Sequence, residues 1–392
     1  MLFLSKLSAA LAIDPRAKKI RFYAMNRADR SGILYDEQSF RAPCFTPAFY
    51  PELTAAAQSF LGQYTTVAGA PVTVVLPDSA IFTNLVVLPG MNRMAVKGAI
   101  QTALNSAYKN RDELKINDLC LAQSKQTTKI SLCGVRQEIL AATRAALAGV
   151  KLPVDGVTFG ANAAANAAGE LNPKLRGATY LLLDITPSDT RIVYVLRGCA
   201  VAFGALPFGY AVMQTGRVAA EDLLFDHSAA ELAVLNTHER AKQKALTRSG
   251  GTAEGAPQEP GGETSGEDVP AADAAPEGAA RKTARRLPKF MLRPTPDTEE
   301  GFLYENFRLF MKWALCSLQQ NRDLTAIAAP EAVYVNLPEE FSSVFDRANA
   351  ERAENGIDFR PLGADGAQEE ILRHLELFGG TISAKSNKNN LF

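Results

Sequence analysis

The sequence predicts an α/β protein built from two similar lobes, and three observations lead to this prediction. Apolar segments of strand length alternate with segments of helical periodicity over most of the 392 residues. A strand–turn–strand pattern occurs twice, as "LAIDPRAKKIRFYAM" at 11–25 and as "LLLDITPSDTRIVYV" at 181–195. A stretch of changed composition at 249–280 then interrupts the second lobe.

The bulk composition is that of a soluble globular protein, with 47% hydrophobic and 21% charged residues. Lysine plus arginine and aspartate plus glutamate both number 42, so no net charge favours binding to nucleic acid or to an anionic membrane. The cysteine count is odd and contains no C-x-x-C pair, which argues against a disulfide framework or a zinc site and favours a reducing cytosol. The five cysteines are Cys44, Cys120, Cys133, Cys199 and Cys316.

No apolar run reaches the ~18–20 residues that span a bilayer. The start, "MLFLSKLSAALAID", resembles the core of a signal peptide, but it lacks a basic n-region and Lys6 interrupts the apolar run. We therefore expect no export.

The elements of the first half follow from apolar periodicity and from turn signals. Two short strands joined by a turn are predicted at 71–77 and 83–89, a helix at 91–108, a strand at 129–135, a helix at 136–150 and an alanine-rich stretch at 160–169. Gly149 is the expected C-terminal stop for the helix at 136–150.

In the second half, the pattern predicts helices at 217–246, 299–323 and 368–379 and a buried strand within 331–338. Residues 249–280 contain seven acidic residues, no basic residue and Val269 as their one large aliphatic residue. Such a segment buries too little apolar area to offset its ordering entropy, so we expect a disordered tether. The basic residues that follow, Arg281, Lys282, Arg285 and Arg286, leave open a weak contact with an anionic partner.

The repeated pattern also predicts a ligand-binding cleft. Asp14 and Asp184 end the first strand of each copy and lie 170 residues apart, a spacing typical of a duplicated domain. Two similar lobes that face one another enclose a cleft, and clefts between domains commonly bind ligands.

The two hairpins resemble the phosphate loops of the actin, Hsp70 and sugar-kinase superfamily. Within it, the chain is most similar to the PilM family of type IV pilus assembly proteins, and it also resembles the cell-division protein FtsA. The resemblance covers nearly the whole chain apart from 248–290. Besides the two hairpins, the resemblance rests on the segments "VTVVLPDSAIFTNLVVLP", "KISLCGVRQEILAATRAALAGVKLPVDGV" and "GALPFGYAVMQTGRVA".

The resemblance implies a bilobal actin-like fold, which is a duplicated RNase H-like fold, with an extra subdomain inserted in the first lobe. The first lobe would span 1–176 with the inserted subdomain at about 72–152. The second lobe would span 177–360 with a disordered insertion at 248–289. Residues 361–392 would form a closing helix that returns to the first lobe, and a tail.

The resemblance implies a nucleotide cleft for ATP and Mg²⁺ formed by Asp14, Arg21, Asp184 and Thr190, but the sequence departs from the family pattern there. Arg16 and Thr186 replace the two loop glycines, which let backbone N–H groups approach a phosphate.

Proline and acidic residues add to these departures. Pro15 and Pro187 each remove a backbone donor. The late glycine-rich turn of the family reads "NLPEE" at 336–340, and Tyr210 follows Gly209 where a second glycine is expected. We therefore expect a degenerate site without productive ATP hydrolysis.

No catalytic or metal motif appears elsewhere in the sequence, so an interaction role is favoured. The resemblance implies a cytoplasmic scaffold of pilus assembly at the inner face of the membrane. It would bind the N-terminal cytoplasmic peptide of a PilN-like single-span membrane protein, with the region 72–152 as the expected location. The sequence leaves open whether the chain forms a homo-oligomer. The alternatives are an active actin-like ATPase or sugar-kinase-like enzyme, an FtsA-like division protein and a GspL-like secretion scaffold.

Overall fold

The computed structural model describes most of the first half of the chain and parts of the second. The described residues are 7–107, 113–187, 189–206, 209–210, 330, 332–350, 358–363 and 369–382. The helices predicted at 217–246 and 299–323, the tether at 249–280 and the basic residues after it lie outside these ranges.

The described residues contain thirteen strands and seven α-helices. The strands are β1 Leu7–Asp14, β2 Lys19–Asn26, β3 Leu34–Ser39, β4 Val72–Leu76, β5 Phe82–Pro89, β6 Leu114–Gln123, β7 Thr127–Arg136, β8 Val154–Phe159, β9 Tyr180–Ile185, β10 Thr190–Leu196, β11 Cys199–Leu206, β12 Val333–Asn336 and β13 Phe359–Pro361. The helices are α1 Phe49–Gln63, α2 Arg93–Ala107, α3 Gln137–Ala148, α4 Gly160–Leu171, α5 Ser342–Ala350, α6 Glu369–Arg373 and α7 Leu375–Thr381. Short 3₁₀ turns lie at Thr65–Val67, Asp78–Ala80, Pro173–Gly177 and Glu339–Phe341.

The first lobe is built on a five-stranded sheet with the order β3-β2-β1-β4-β8. β1 and β2 pair antiparallel from Leu7↔Asn26 to Asp14↔Lys19, whereas β4 pairs parallel with both β1 and β8. Helix α1 packs on this sheet through Phe60, whose ring stacks on Phe22 at a centroid distance of 4.5 Å.

The second lobe is built on a sheet with the same topology, in the order β11-β10-β9-β12-β13. β9 pairs antiparallel with β10 and parallel with β12, and β12 pairs parallel with β13. Each sheet therefore consists of a three-stranded meander followed by two parallel strands, which confirms the internal repeat. A continuous apolar core joins residues of both sheets through the buried face of α4.

A three-stranded sheet with the order β5-β7-β6 forms the inserted subdomain, which carries α2. Its own small core contains Val96, Ile100, Ile130 and Leu132.

This arrangement corrects the predicted start of the subdomain at about 72. The strand at 72–76 is β4, a central strand of the first sheet, and it does not pair with the strand at 82–89. All five residues of β4 are buried, as expected for a parallel strand covered on both faces. The strands of the inserted sheet begin at Phe82 and end at Arg136.

The segment predicted as one helix at 368–379 forms two helices, because His374 between α6 and α7 has non-helical dihedral angles (φ −124°, ψ 42°). Helix α7 then packs on the first lobe, where the Ser8 hydroxyl donates a hydrogen bond to the carbonyl of Thr381 at 3.0 Å. Among the helices of the described ranges, none is both long enough and apolar enough to cross a bilayer.

Candidate functional site

The turn after β1 is closed by the carboxylate of Asp14. Its Oδ1 accepts hydrogen bonds from the backbone amides of Arg16 at 3.0 Å and of Ala17 at 2.9 Å. This is the local pattern by which aspartate stabilises a turn. Lys18 completes the turn with a left-handed backbone (φ 52°). Two amides of this turn are therefore already engaged by a protein carboxylate, and Pro15 has none to offer.

The turn after β9 is closed by Thr186 and Asp189. The Thr186 amide donates to the Asp189 carbonyl at 2.8 Å, and the Thr186 hydroxyl accepts from the Asp189 amide at 3.0 Å. Gly209 lies against this turn so closely that a Cβ there would be 1.9 Å from the Thr186 carbonyl oxygen. The residue that replaces a loop glycine thus supplies its own hydrogen bonds to the turn.

Arg191 on β10 extends from the second lobe to three carboxylates. Its Nε donates to Asp78 Oδ2 at 2.7 Å, and its Nη1 donates to Asp184 Oδ2 at 3.1 Å. Its Nη2 donates to Glu376 Oε2. Asp78 follows β4 and Glu376 lies on α7, so two of the three partners belong to the first lobe.

Arg21 on β2 makes the corresponding contacts within the first lobe. Its Nη2 lies 3.1 Å from Asp14 Oδ2 and also contacts Glu376 Oε1. Arg21 and Arg191 are 170 residues apart, as are Asp14 and Asp184. Each arginine therefore pairs with the aspartate of its own repeat, and the two share Glu376 through one oxygen each.

We call this set of side chains the inter-lobe cluster: Asp14, Arg21, Asp78, Asp184, Arg191, Asn336 and Glu376. Asn336, the last residue of β12, donates from Nδ2 to Asp184 Oδ1 and to the carbonyl of Leu372, both at 2.8 Å. The second oxygen of Asp78, Oδ1, accepts from the Ala161 amide at 2.7 Å in the first turn of α4. Every carboxylate of the cluster thus has at least one close hydrogen-bond donor.

Gly160, the first residue of α4, leaves the space in which the cluster fits. A Cβ at this position would lie 2.6 Å from Nη2 of Arg191 and 3.0 Å from Oε2 of Glu376. A larger residue here would push the ends of the Arg191 and Glu376 side chains away from the helix backbone, so glycine permits the contact as observed.

A further ion pair joins the two turns directly. Arg16 Nη1 lies 3.3 Å from Asp189 Oδ2, and both side chains are about three-quarters buried, at 21% and 27% exposure. The pair links the turn after β1 in the first lobe to the turn after β9 in the second.

Burial and charge act in opposite directions on the carboxyl groups of the cluster. Burial raises the pKa of Asp78 and the pKa of Asp184, and the neighbouring Arg191 only partly offsets this effect. For Glu376, burial also favours the neutral form, but Arg191 and Arg21 together outweigh it and hold the pKa at about 2. Glu376 is therefore the carboxylate whose negative charge is most firmly fixed by its neighbours.

The structure brings together three of the four residues that the sequence assigned to a nucleotide cleft, namely Asp14, Arg21 and Asp184. Thr190 is fully buried on β10, where it pairs with Ile185. Sequence reasoning did not single out Asp78, Arg191 or Glu376. The repeat contained a signal for Arg191, because it follows Asp184 at the spacing at which Arg21 follows Asp14. In the part of the chain that the structure describes, no group of three or more histidine, cysteine, aspartate or glutamate side chains is arranged to hold a metal ion.

No family model matches this sequence, and no curated protein matches it either. Solved structures do. Over 95% of this chain and 97% of that chain, the fold is similar to a PilM–PilN type IV pilus biogenesis complex, with a TM-score of 0.51 at 13% sequence identity. The predicted actin-like fold is confirmed.

Two further solved structures are similar at lower TM-scores. One is the cytoplasmic domain of EpsL, an inner membrane component of the type II secretion system of Vibrio cholerae, with a TM-score of 0.36 and 13% identity over 51% of this chain and 71% of that chain. The other is MreB 5 of Spiroplasma citri bound to AMPPNP, with a TM-score of 0.38 and 8% identity over 97% of this chain and 96% of that chain.

Proposed function

We propose that this chain is a cytoplasmic actin-like scaffold for the assembly of a type IV pilus or a related secretion pilus. It binds the N-terminal cytoplasmic peptide of a PilN-like single-span membrane protein and reaches the membrane through that partner. The observation that carries this proposal is the similarity of fold, over nearly the full length of both chains, to PilM in its complex with PilN.

The inserted subdomain is the surface we assign to the partner. Among the residues that the structure describes, the exposed large apolar side chains are Val87 at 44% and Met94 at 85% exposure, and both belong to this subdomain. The outer strands of its sheet, β5 and β6, each pair with β7 on one side. An extended peptide can add to such a strand through backbone hydrogen bonds and place apolar side chains against the neighbouring surface.

The partner proposal is tested by fluorescence anisotropy with a labelled peptide. The peptide is the cytoplasmic N-terminus of the PilN-like single-span membrane protein that we propose as the partner. We expect saturable binding with a micromolar dissociation constant, which corresponds to about −8 kcal/mol. Val87→Asp and Met94→Asp should each weaken it about tenfold or more, because a charge in an apolar contact is costly to desolvate.

Ala55→Asp is the matched control, since Ala55 is exposed on α1 of the first lobe. It introduces the same side chain away from the inserted subdomain and should leave binding unchanged. Absence of peptide binding, or direct binding of the chain to lipid vesicles without the peptide, refutes the proposed function. Unchanged binding in Val87→Asp and Met94→Asp would place the partner elsewhere on the molecule.

We further propose that the cleft between the lobes does not bind or hydrolyse ATP. The residues present fit Mg-ATP poorly. The amides of Arg16 and Ala17 donate to Asp14, and the guanidinium of Arg191 lies among the carboxylates that would face a metal or a phosphate. A phosphate entering the cleft would have to displace these internal bonds and would meet fixed negative charge on Glu376.

Isothermal titration calorimetry with Mg-ATP tests this part separately. The expected dissociation constant is weaker than ~100 µM, with no phosphate release above background. A low-micromolar dissociation constant would contradict the proposal and would favour the alternative of an active actin-like ATPase.

A further inference from the structure

Among the described residues, three ion pairs cross directly from one lobe to the other. Arg191 of the second lobe contacts Asp78 and Glu376 of the first, and Arg16 of the first contacts Asp189 of the second. The crossing pairs of Arg191 are buried, with side-chain exposures of 18% for the arginine and 8% for the glutamate.

The geometry of Arg191 favours one relative position of the lobes. Its Nε and Nη2 bind Asp78 and Glu376 of the first lobe, so a shift of the second lobe would break both bonds at once. Its Nη1 binds Asp184 of its own lobe, which holds the guanidinium in place. Planar guanidinium groups give such multidentate contacts a directional preference that a lysine cannot reproduce. Asp78 is itself fixed by the Ala161 amide of α4, and Glu376 by Arg21 of the first lobe.

Breaking this contact is costly because the partners are buried. If the lobes part without water filling the gap, Arg191 and Glu376 lose their counter-charges in a poorly hydrated site. Gly160 leaves space for the Arg191–Glu376 pair directly beside the backbone of α4.

We propose that Arg191 and Glu376, aided by Arg16 and Asp189, form a clasp that holds the two lobes closed without any bound ligand. Contacts within the chain would then keep the cleft closed, and Arg191 would lie where the two lobes meet. This inference goes beyond the proposed function, since it concerns the ligand-free conformation and not the partner or the chemistry of the cleft.

The test measures the distance between the lobes in the full chain without nucleotide or peptide. Fluorophores are attached through azido side chains at Gln58 on α1 and Asp346 on α5, which are exposed helical positions on the two lobes, so the five native cysteines are left unlabelled. Single-molecule energy transfer should give one narrow distribution for the parent chain. Glu376→Gln and Arg191→Lys should each add a second population at longer distance that exceeds about a tenth of the molecules.

Two more variants keep the test decisive. Arg16→Gln removes the less buried crossing pair and leaves Arg191 and Glu376 in place, so it should fold normally and still broaden the distribution. Arg136→Gln breaks an exposed pair with Glu138 in which both partners lie outside the cluster, and it should change nothing.

Hydrogen exchange gives a second readout if a cluster variant folds poorly. Exchange of the Arg16, Ala17 and Thr186 amides should rise about tenfold or more in Glu376→Gln, while peptides from β5 to β7 stay as protected as in the parent chain. Unchanged distance distributions in Glu376→Gln, Arg191→Lys and Arg16→Gln would overturn the proposal. A uniform rise of exchange over the whole chain would overturn it as well, because it would assign the cluster to general stability.

Discussion

At the scale of single residues, Glu376 is the side chain on which the two arginines of the repeat converge. Its pKa of about 2 lies below the ordinary value of 4.5, because Arg191 and Arg21 outweigh the effect of burial. A carboxyl group with a lowered folded-state pKa contributes stability above its unfolded pKa and loses it as the pH falls toward the folded value.

Glu376→Gln should therefore destabilise the protein by an amount that depends on pH. The difference in unfolding free energy between the parent chain and the variant should be roughly 3 kcal/mol at pH 6. At pH 3 this difference should be smaller by about 2 kcal/mol. Urea unfolding at both pH values measures it. Glu138→Gln, at an exposed ion pair on α3, is the control and should show almost no difference at either pH.

Comparing the variant with the parent at each pH is necessary because other groups in the cluster act in the opposite sense. Burial raises the pKa of Asp78 and of Asp184, so their ionised forms cost stability that is regained as the pH falls through the raised values. A pH-independent difference for Glu376→Gln would contradict the assignment of a lowered pKa to Glu376.

The contacts of single residues were harder to predict from the sequence than the elements or the overall fold. The repeat located Asp14 and Asp184, because a strand ending in aspartate is a local pattern, and the family resemblance pointed to Arg21. Asp78 and Glu376 lie in segments with no such pattern, and only the folded chain brings them to Arg191. Their contacts span 113 and 185 residues, a separation that local periodicity does not report.

At the scale of elements, α7, which carries Glu376 of the inter-lobe cluster, crosses α4 at close range. A Cβ at Gly379 would lie 1.8 Å from the backbone oxygen of Ala163, and a Cβ at Gly380 would lie 2.8 Å from a methyl group of Val75. The two glycines thus allow α7 to approach both α4 and the first sheet more closely than any other residue would permit.

Gly379→Ala should destabilise the protein by at least about 3 kcal/mol, since the obstructing atoms belong to the backbone and cannot rotate away. Gly98→Ala is the matched control. Gly98 lies in α2 with nothing within 4 Å of its Cβ position, so the change should stabilise the helix by about 0.5–1 kcal/mol. Chemical denaturation of both variants provides the comparison, and a Gly379→Ala variant within 1 kcal/mol of the parent would rule out the close crossing.

The elements with strong periodicity were predicted well, and those defined by tertiary contacts were not. The helix predicted at 91–108 is confirmed as α2, and the strand predicted at 129–135 is confirmed within β7. The strand at 72–76 was assigned to the wrong sheet, because a buried apolar strand carries no signal of its neighbours. The break at His374 was missed since its flanking residues keep helical spacing.

At the scale of the whole molecule, the duplicated architecture followed from one repeated pattern. The two hairpins at 11–25 and 181–195 predicted two similar lobes, and the sheets have the same strand topology. The ion pairs between the lobes did not follow from the sequence. Missing loop glycines predict a poor phosphate site, but they do not say that arginine–carboxylate contacts join the lobes.

Residues 249–280 should contribute little to the stability of the whole chain. Their composition, with seven acidic residues and no basic or aromatic residue, provides almost no apolar surface for burial. Shortening a long connection changes its closure entropy only slightly. Deleting these residues should therefore leave the midpoint of thermal unfolding within ~5 °C of the parent chain, which corresponds to a loss of at most about 1 kcal/mol. Replacement by a glycine–serine segment of equal length is the matched control, because it keeps the length and removes the charges. A fall of more than ~5 °C in both variants would mean that this segment makes specific stabilising contacts, whereas a fall in the deletion alone would assign the effect to length.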